Sequence, residues 1–431
     1  MRRRNRNRAG KKEASISDME LTIPTHFQCP ISLDLMKDPV SLSTGITYDR
    51  ESIEKWIESG NATCPVTNQV LRNFDQIPNH AIRKMIQEWC VENKSRGVER
   101  IPTPRVPITL YDVLEISSRM LVATRSGDEI KCQELVRKIK DSAKESERNR
   151  RCIVSNGIGI AMADMFASFA GFSAPKHADL LREILSALTW SFPLGKEVVS
   201  KLKSVVSLSC MVSVLNGEDL SSRKDVVFVL KEVISADPKC VDDLMKIEGI
   251  EMALFNIVKV PICPRATQTC LVVMHQMMIL QCQESLTITL RFVRMGLIPL
   301  ILDILVEGNK CICEKALGVL DRICDSKEGK ESAYSNALTV PLVVKKILRV
   351  SETGTDFSIL ILWKLIVGGN ENVLIEAVQL GAFQKLLVVL QVGCGEITKE
   401  KVTELLKLMN TYRDQLDCFD SSMGFKQLKR P

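Results

Sequence analysis

Two short stretches decide how this chain is read: Cys29-Pro30-Ile31-Ser32 and, thirty-five residues on, Cys64-Pro65-Val66-Thr67. Each is half of a zinc-ligand pair, C-x-x-C, in which the second thiol has become a hydroxyl. A tetrahedral zinc site needs four nitrogen or sulfur ligands, and a cross-braced pair of sites needs twice that. Between Thr22 and Ser95 the candidate ligands are Cys29, Cys64, Cys90, His26 and His80. His80 and Cys90 fall on one amphipathic helical pattern, too far apart along it to join a common ion. The loops keep a spacing that metal would impose and that no metal can hold. No zinc and no other cofactor is expected, and loop geometry itself becomes the expected function.

The residues around the loops read as a compact unit. Val40-Ser41-Leu42 and Ile46-Thr47-Tyr48 flank Ser43-Thr44-Gly45, a three-residue hairpin loop with glycine at the left-handed position. Asp49 is expected to N-cap a helix that places Ile53, Trp56 and Ile57 on one face, with Gly60 just past its end. Asn79 is expected to cap a second helix, whose Ile82, Met85, Ile86 and Trp89 follow helical spacing. The long run Ile23 to Val40, with Thr44 to Arg50, Ser52-Ile53, Trp56, Thr63 to Thr67 and Ile77 to His80, resembles the U-box, the zinc-free relative of the RING finger. The resemblance covers residues 22–95, within a domain expected over 22–96, and implies a small ββα fold.

Beyond it, Ile101-Pro102-Thr103-Pro104-Arg105-Val106-Pro107 has prolines too closely spaced for a helix, so residues 97–109 read as an extended linker. From 110 to 415 the pattern is helical and recurs. Glycine followed by an apolar amphipathic segment appears at Gly157, Gly249, Gly296 and Gly381, with weaker copies near Lys203 and Leu338. The spacing of roughly 42–47 residues is the period of armadillo or HEAT units, and it predicts six of them. No such unit buries its apolar face alone, so neighbours stack. With the small domain in front, the chain resembles a plant U-box protein with armadillo repeats. A mostly α fold is expected, with a right-handed armadillo-type solenoid offering a concave groove. Residues 1–21 read as a basic tail too polar to fold alone, and 416–431 as a second tail.

Charge and composition narrow the function. The net charge of +6 invites a nucleic-acid reading. Residues 1–12, however, hold seven basic side chains and no acidic one, and removing them leaves 51 basic against 52 acidic residues. The remainder is close to neutral, so no nucleic-acid partner is expected. No apolar run approaches the length of a membrane span. The basic start, with no apolar stretch behind it, does not read as a signal peptide. Fifteen cysteines scattered singly through helical patterns then read as reduced core residues. The expected location is cytoplasmic, and also nuclear if the basic run is read as a localisation signal. With four histidines spread along the chain and no P-loop or nucleophile elbow, side chains for direct chemistry are not expected.

What the resemblance implies is ubiquitin-protein ligase activity without a covalent ubiquitin intermediate. The domain would bind a ubiquitin-charged conjugating enzyme through Ile31, Trp56 and Pro65, with Leu33 and Val66 as lesser candidates. A protein substrate would dock on the repeat groove, and defence or stress signalling is the expected setting. A homodimer is compatible with this scheme. One position departs from the family. Where many relatives carry an arginine that contacts both ubiquitin and its carrier, this chain has Asn68, which implies weaker locking of donor ubiquitin. The competing readings are a non-catalytic armadillo scaffold or adaptor using the small domain only for docking, and a true zinc finger. For loop rigidity without metal, hydrogen bonds from Ser32, Asp34, Asp38, Thr44, Asp49, Asn61, Thr63 and Thr67 to loop amides are expected, with Cys29 and Cys64 as small buried residues.

Overall fold

The computed structural model describes residues 22–101, 107–173, 176–280, 282–367 and 371–420, with side chains as far as 411 and those of 172 and 173 left aside. The basic segment 1–21, the centre of the Pro-rich linker and residues 421–431 lie outside the described residues. Two compact units meet in sequence between Pro107 and Ile108.

In the first unit, β1 (Pro39–Ser41) and β2 (Thr47–Asp49) form the expected hairpin, with Val40 opposite Tyr48. Gly45 takes φ +77° and its amide returns to Leu42 O at 2.9 Å, which an L side chain at that position would strain. The hairpin leads straight into α1 (Arg50–Glu58), which ends at Ser59 and Gly60 as the glycine placement implied. A third strand, β3 (Ile77–Pro78), pairs with β1 and was not anticipated, because two residues with proline as one of them carry no strand pattern. α2 (His80–Glu92) starts at Asn79, whose side chain accepts from Ile82 N at 3.1 Å. Ile86 and Cys90 are the buried positions of α2, while Met85, expected on the core face, is 46% exposed. The core of this unit gathers Phe27, Met36, Val40, Tyr48, Ile53, Leu71 and Ile86 around the two loop cysteines.

The second unit is helical throughout. Thr109 and Asp112 close a reciprocal capping box at the start of α3 (Leu110–Ser126), and α4 (Glu129–Glu145) folds back on it. Six triplets of helices follow among the described residues. The first is α5 (Glu147–Ser155), α6 (Ile158–Ser173) and α7 (Ala178–Leu188). The second is α8 (Lys196–Leu202), α9 (Val205–Leu215) and α10 (Leu220–Ala236). The third comprises α11 (Cys240–Met245), α12 (Ile250–Lys259) and α13 (Pro264–Ile279). The fourth comprises α14 (Gln283–Arg294), α15 (Leu297–Glu307) and α16 (Lys310–Ile323). Then come α17 (Lys327–Tyr334), α18 (Thr339–Lys346) and α19 (Glu352–Val367), and last α20 (Glu371–Gln379), α21 (Ala382–Val392) and α22 (Glu396–Asp420). α22 runs past residue 415, where the apolar pattern had suggested a tail, because helical hydrogen bonding belongs to the backbone and does not have to end with the apolar pattern.

The periodic glycines acquire a physical role here. Gly157, Gly249, Gly296 and Gly381 all have positive φ at the turn between the first and second helix of a triplet. The second and fifth triplets make that turn with Lys203-Ser204 and Leu338 in ordinary conformations, which is why their sequence signal is weaker. The third helices stack in succession, α7 on α10, α10 on α13, α13 on α16, α16 on α19 and α19 on α22. One apolar core runs unbroken from Val113 to Met409. No single helix among the described residues is long and apolar enough to cross a membrane.

Candidate functional site

The two cysteine loops are built alike, residue for residue. In the first, Cys29 N donates to Asp34 O and Leu33 N to Cys29 O, each at 2.8 Å. In the second, Cys64 N donates to Gln69 O and Asn68 N to Cys64 O, again at 2.8 Å. Isolated bridges close both bases, Gln28 with Leu35 and Thr63 with Val70. The fifth residue of each loop is left-handed, Leu33 at φ +62° and Asn68 at φ +56°. Asparagine tolerates that region far better than most side chains, so Asn68 has a local reason to be there that the family comparison alone did not supply.

What holds the loops is a hydrogen-bonded brace centred on β2. Both thiols are fully buried and act as acceptors. Cys64 Sγ lies 3.0 Å from the Tyr48 hydroxyl and receives the Thr44 hydroxyl at 3.4 Å. Cys29 Sγ receives the Asp49 amide at 3.3 Å. Adjacent residues of one strand therefore reach opposite ways, Tyr48 to the second loop and Asp49 to the first. The Asp49 carboxylate adds two more bonds, accepting from Lys37 N at 2.8 Å and Asp38 N at 2.9 Å. This corrects one expectation. Asp49 occupies the N-cap position of α1 but makes no side-chain cap bond, because its carboxylate is engaged by the first loop. Asp38 in turn accepts from Arg50 Nε at 2.7 Å and pairs with Arg83, tying α1 and α2 to the same point.

The hydroxyl brace foreseen from sequence is partly present. Ser32 and Thr67 accept the amides of Asp34 and Gln69 at 3.4 Å each, both long, while Asp34 and Thr63 take part through carbonyls. Sequence reasoning missed Tyr48 and the acceptor role of the thiols. The available signal was a tyrosine at a core position of the hairpin, since a buried phenol needs a partner.

The thiols titrate accordingly. Burial pushes Cys64 up, but the hydroxyls of Thr44, Thr67 and Tyr48 and the Thr67 amide draw it further down, to about 6. Burial likewise raises Cys29, and the amides of Ser32, Asp49 and Ile31 with the Ser52 hydroxyl lower it below the ordinary thiol value. Tyr48 is displaced upward, first by burial and then by its bond to Cys64. Each direction fits donors converging on sulfur. Among the described residues no group of three or more His, Cys, Asp or Glu is placed to hold a metal ion.

On this frame sit the three apolar residues singled out from sequence. Ile31 lies in the first loop and Pro65 in the second, both partly exposed. Trp56 of α1 is also partly exposed, and its indole nitrogen donates to Thr63 O at 2.8 Å, fastening the helix to the loop that carries Pro65. Asn61 Nδ2 donates to Trp56 O at 3.0 Å and closes the far side. Ile31 and Trp56 each rest one side on the small core. Leu33 at 70% and Val66 at 52% exposure project from the two loops, and Asn68 is exposed beside them. Ile31, Leu33, Trp56, Pro65 and Val66 are thus apolar side chains left partly or largely open on two hydrogen-bonded loops and the helix fastened to one of them.

Comparison with known proteins places both units. A family model described as "U-box domain" matches residues 23–95, and one described as "Plant U-box protein ARM repeat region" matches residues 112–429. U-box domain-containing protein 21 of Arabidopsis thaliana is 49% identical over 96% of this chain and 94% of its own length. U-box domain-containing protein 20 of the same plant is 45% identical, covering 96% and 94%. E3 ubiquitin-protein ligase PUB23, also from Arabidopsis thaliana, is 33% identical over 95% of this chain and 98% of its own.

Proposed function

We propose, for a chain that belongs to the plant U-box proteins with an armadillo-repeat region and is a ubiquitin-protein ligase, that Ile31, Trp56 and Pro65 grip a conjugating enzyme already carrying ubiquitin as a thioester. The amine of a substrate lysine attacks the thioester carbonyl, the partner's cysteine thiolate leaves, and an isopeptide bond forms. No bond to this chain forms or breaks. Its contribution is positioning, which restricts the thioester to near-attack geometries. The observation that supports this assignment is the bond from the Trp56 indole to Thr63 O at 2.8 Å, which fixes a large apolar side chain against the second loop while leaving part of it open. A shallow interface gains most from a few rigid apolar anchors of this kind. Asn68 offers a hydrogen-bonding amide in place of a cationic fork, so this ligase is assigned a weaker hold on donor ubiquitin.

The repeat region is assigned to substrate recruitment along the row of third helices. Partly exposed aromatic rings recur there, Phe228 on α10, His275 on α13, and Phe357 and Trp363 on α19. Arg265 lies over Phe228 at 4.8 Å and Lys401 over Trp363 at 3.8 Å, so the row carries cations set over ring faces. Purified protein, ubiquitin, activating enzyme and a panel of conjugating enzymes should yield polyubiquitin, and Ile31→Ala should abolish it. Failure with every conjugating enzyme, or full activity of Ile31→Ala, overturns the assignment. The chain is further assigned to the cytoplasm and, through its basic first residues, the nucleus, in defence or stress signalling. Fluorescent fusions with and without residues 1–21 test the location, and proximity labelling in stressed and unstressed tissue tests the setting.

A further inference from the structure

The two cysteine loops share one backbone design, so side chains at corresponding positions can be compared directly. Ile31 corresponds to Val66, Leu33 to Asn68 and Leu35 to Val70. The surroundings of the last pair differ. Leu35 is partly buried and packs on the small core, whereas Val70 is 73% exposed. Packing calls for an apolar side chain at Leu35 and makes no such demand at Val70. The direction in which Val70 points follows from its bridge to Thr63. Cys64 N donates to Gln69 O at 2.8 Å and Leu71 N to Ala62 O at 2.9 Å, so Thr63 and Val70 face each other as the non-hydrogen-bonded pair between two ladder bonds. In such a pair the backbone N–H and C=O groups point away from the partner strand. Thr63 O accordingly reaches the other way, to the Trp56 indole. Trp56, Thr63 and Val70 therefore stand in a row, with Val70 across the loop strand from Trp56 and two residues past Asn68. The adjacent Cys64 is buried, and side chains alternate along an extended strand, so the Thr63 and Val70 side chains turn away from the core.

We infer, resting on the reading of this domain as the carrier-binding module, that Val70 is a positioning residue for donor ubiquitin, its side chain meeting an apolar surface of the ubiquitin held as a thioester on the conjugating enzyme. Place selects this occupant over the conjugating enzyme itself. Trp56, a proposed carrier anchor, lies on one side of the second loop, and Val70 lies on the other, beyond the position from which many relatives reach both ubiquitin and its carrier. Asn68 lacks a cationic fork there, and apolar contact from its neighbour two residues on supplies part of the missing hold. One valine suffices because the thioester already tethers ubiquitin beside it. The contact forms at high effective concentration and does not bear the entropy cost of a separate binding event. A β-branched side chain is also stiff, so little rotamer freedom is lost when it is covered.

The test compares full-length wild type with Val70→Asp, Val70→Ala and Val70→Ile, using a conjugating enzyme with which the wild type builds chains. Each protein is titrated with that enzyme bare, and with the same enzyme carrying ubiquitin through a stable isopeptide bond in place of the thioester. Val70→Asp should weaken binding of the conjugate roughly tenfold and Val70→Ala roughly threefold, as expected for the loss of a small apolar contact, while affinity for the bare enzyme stays within about twofold. Single-turnover discharge should fall in the same order, and Val70→Ile should keep the wild-type rate. The melting temperature should not move, since the side chain is largely exposed. Equal losses for bare enzyme and conjugate would make Val70 a carrier contact and overturn the inference, as would unchanged conjugate binding by Val70→Asp. Full activity of Ile31→Ala strikes the carrier anchors instead, because the ratio of conjugate to bare-enzyme affinity reads Val70 independently of them.

Discussion

Replacing Asp49 by alanine removes the one carboxylate that holds the end of the first loop, and the consequence can be worked from its contacts. Asp49 accepts the amides of Lys37 and Asp38 at 2.8 and 2.9 Å. Hydrogen bonds to a charged acceptor contribute about 1.5–3 kcal/mol each, but Lys37 is exposed and Asp38 half-buried, so water recovers part of the loss. A total of about 2–3 kcal/mol remains. No cap term is added, because the side chain makes no cap bond to α1. Backbone bracing through Asp49 N to Cys29 Sγ survives the substitution. At about 1.4 kcal/mol per factor of ten, the loop should open roughly 30- to 150-fold more often. Hydrogen exchange of a peptide spanning residues 34–40 in the full-length chain reads this directly. The same variant should discharge the ubiquitin thioester more slowly, while exchange within the helical repeats stays unchanged. Asp49→Asn keeps one acceptor without its charge and should lose about half as much. If the 34–40 peptide exchanges at the wild-type rate in Asp49→Ala, the brace through β2 is not what orders the loop.

The Cys64 thiol at about 6 against an ordinary 9.0 means that the folded domain binds fewer protons than the unfolded chain between those values. Stability of the second loop should therefore rise with pH across that window, by at most about 4 kcal/mol, and be lost as pH falls through 6. Exchange of residues 62–71, corrected for intrinsic rates, should show this, and Cys64→Ser should flatten it. Asn68→Arg should raise single-turnover discharge while costing about 1 kcal/mol of loop stability, since arginine is strained at φ +56°; an unchanged discharge rate sinks the assigned role. In the repeats, Lys364 Nζ lies 2.6 Å from carboxylate oxygens of both Asp321 and Asp325, and Asp321 is fully buried with Arg322 as its other partner. Lys364→Met should cost about 2–4 kcal/mol in urea unfolding, with Asp321→Leu added to it recovering most of the loss; a neutral single variant would mean that Asp321 folds uncharged, the direction in which burial pushes it.

Much of this molecule was legible one residue at a time. Positive-φ glycines, a helix cap and a hairpin loop are local choices, and Gly45, Gly60, Asn79 and the four repeat glycines name their turns without help from distant residues. The spacing of those glycines and the apolar stripes between them set the six stacked units, because helical periodicity and repeat length are one-dimensional quantities. The absence of sufficient ligands for zinc is likewise a count along the chain. Tertiary structure decided what no count could. Tyr48 and Asp49 are neighbours whose side chains leave β2 in opposite directions, and only the folded hairpin shows that one meets Cys64 and the other the amides beside Asp38. A carboxylate read as a helix cap was claimed instead by a loop eleven residues earlier, since two well-aligned amides outcompete one. Which apolar residues of a repeat helix are covered depends likewise on the neighbours it stacks against, as in α3, where Val113, Ile116 and Met120 are buried and Leu110, Tyr111 and Leu114 are exposed, a matter of geometry that residue order does not carry.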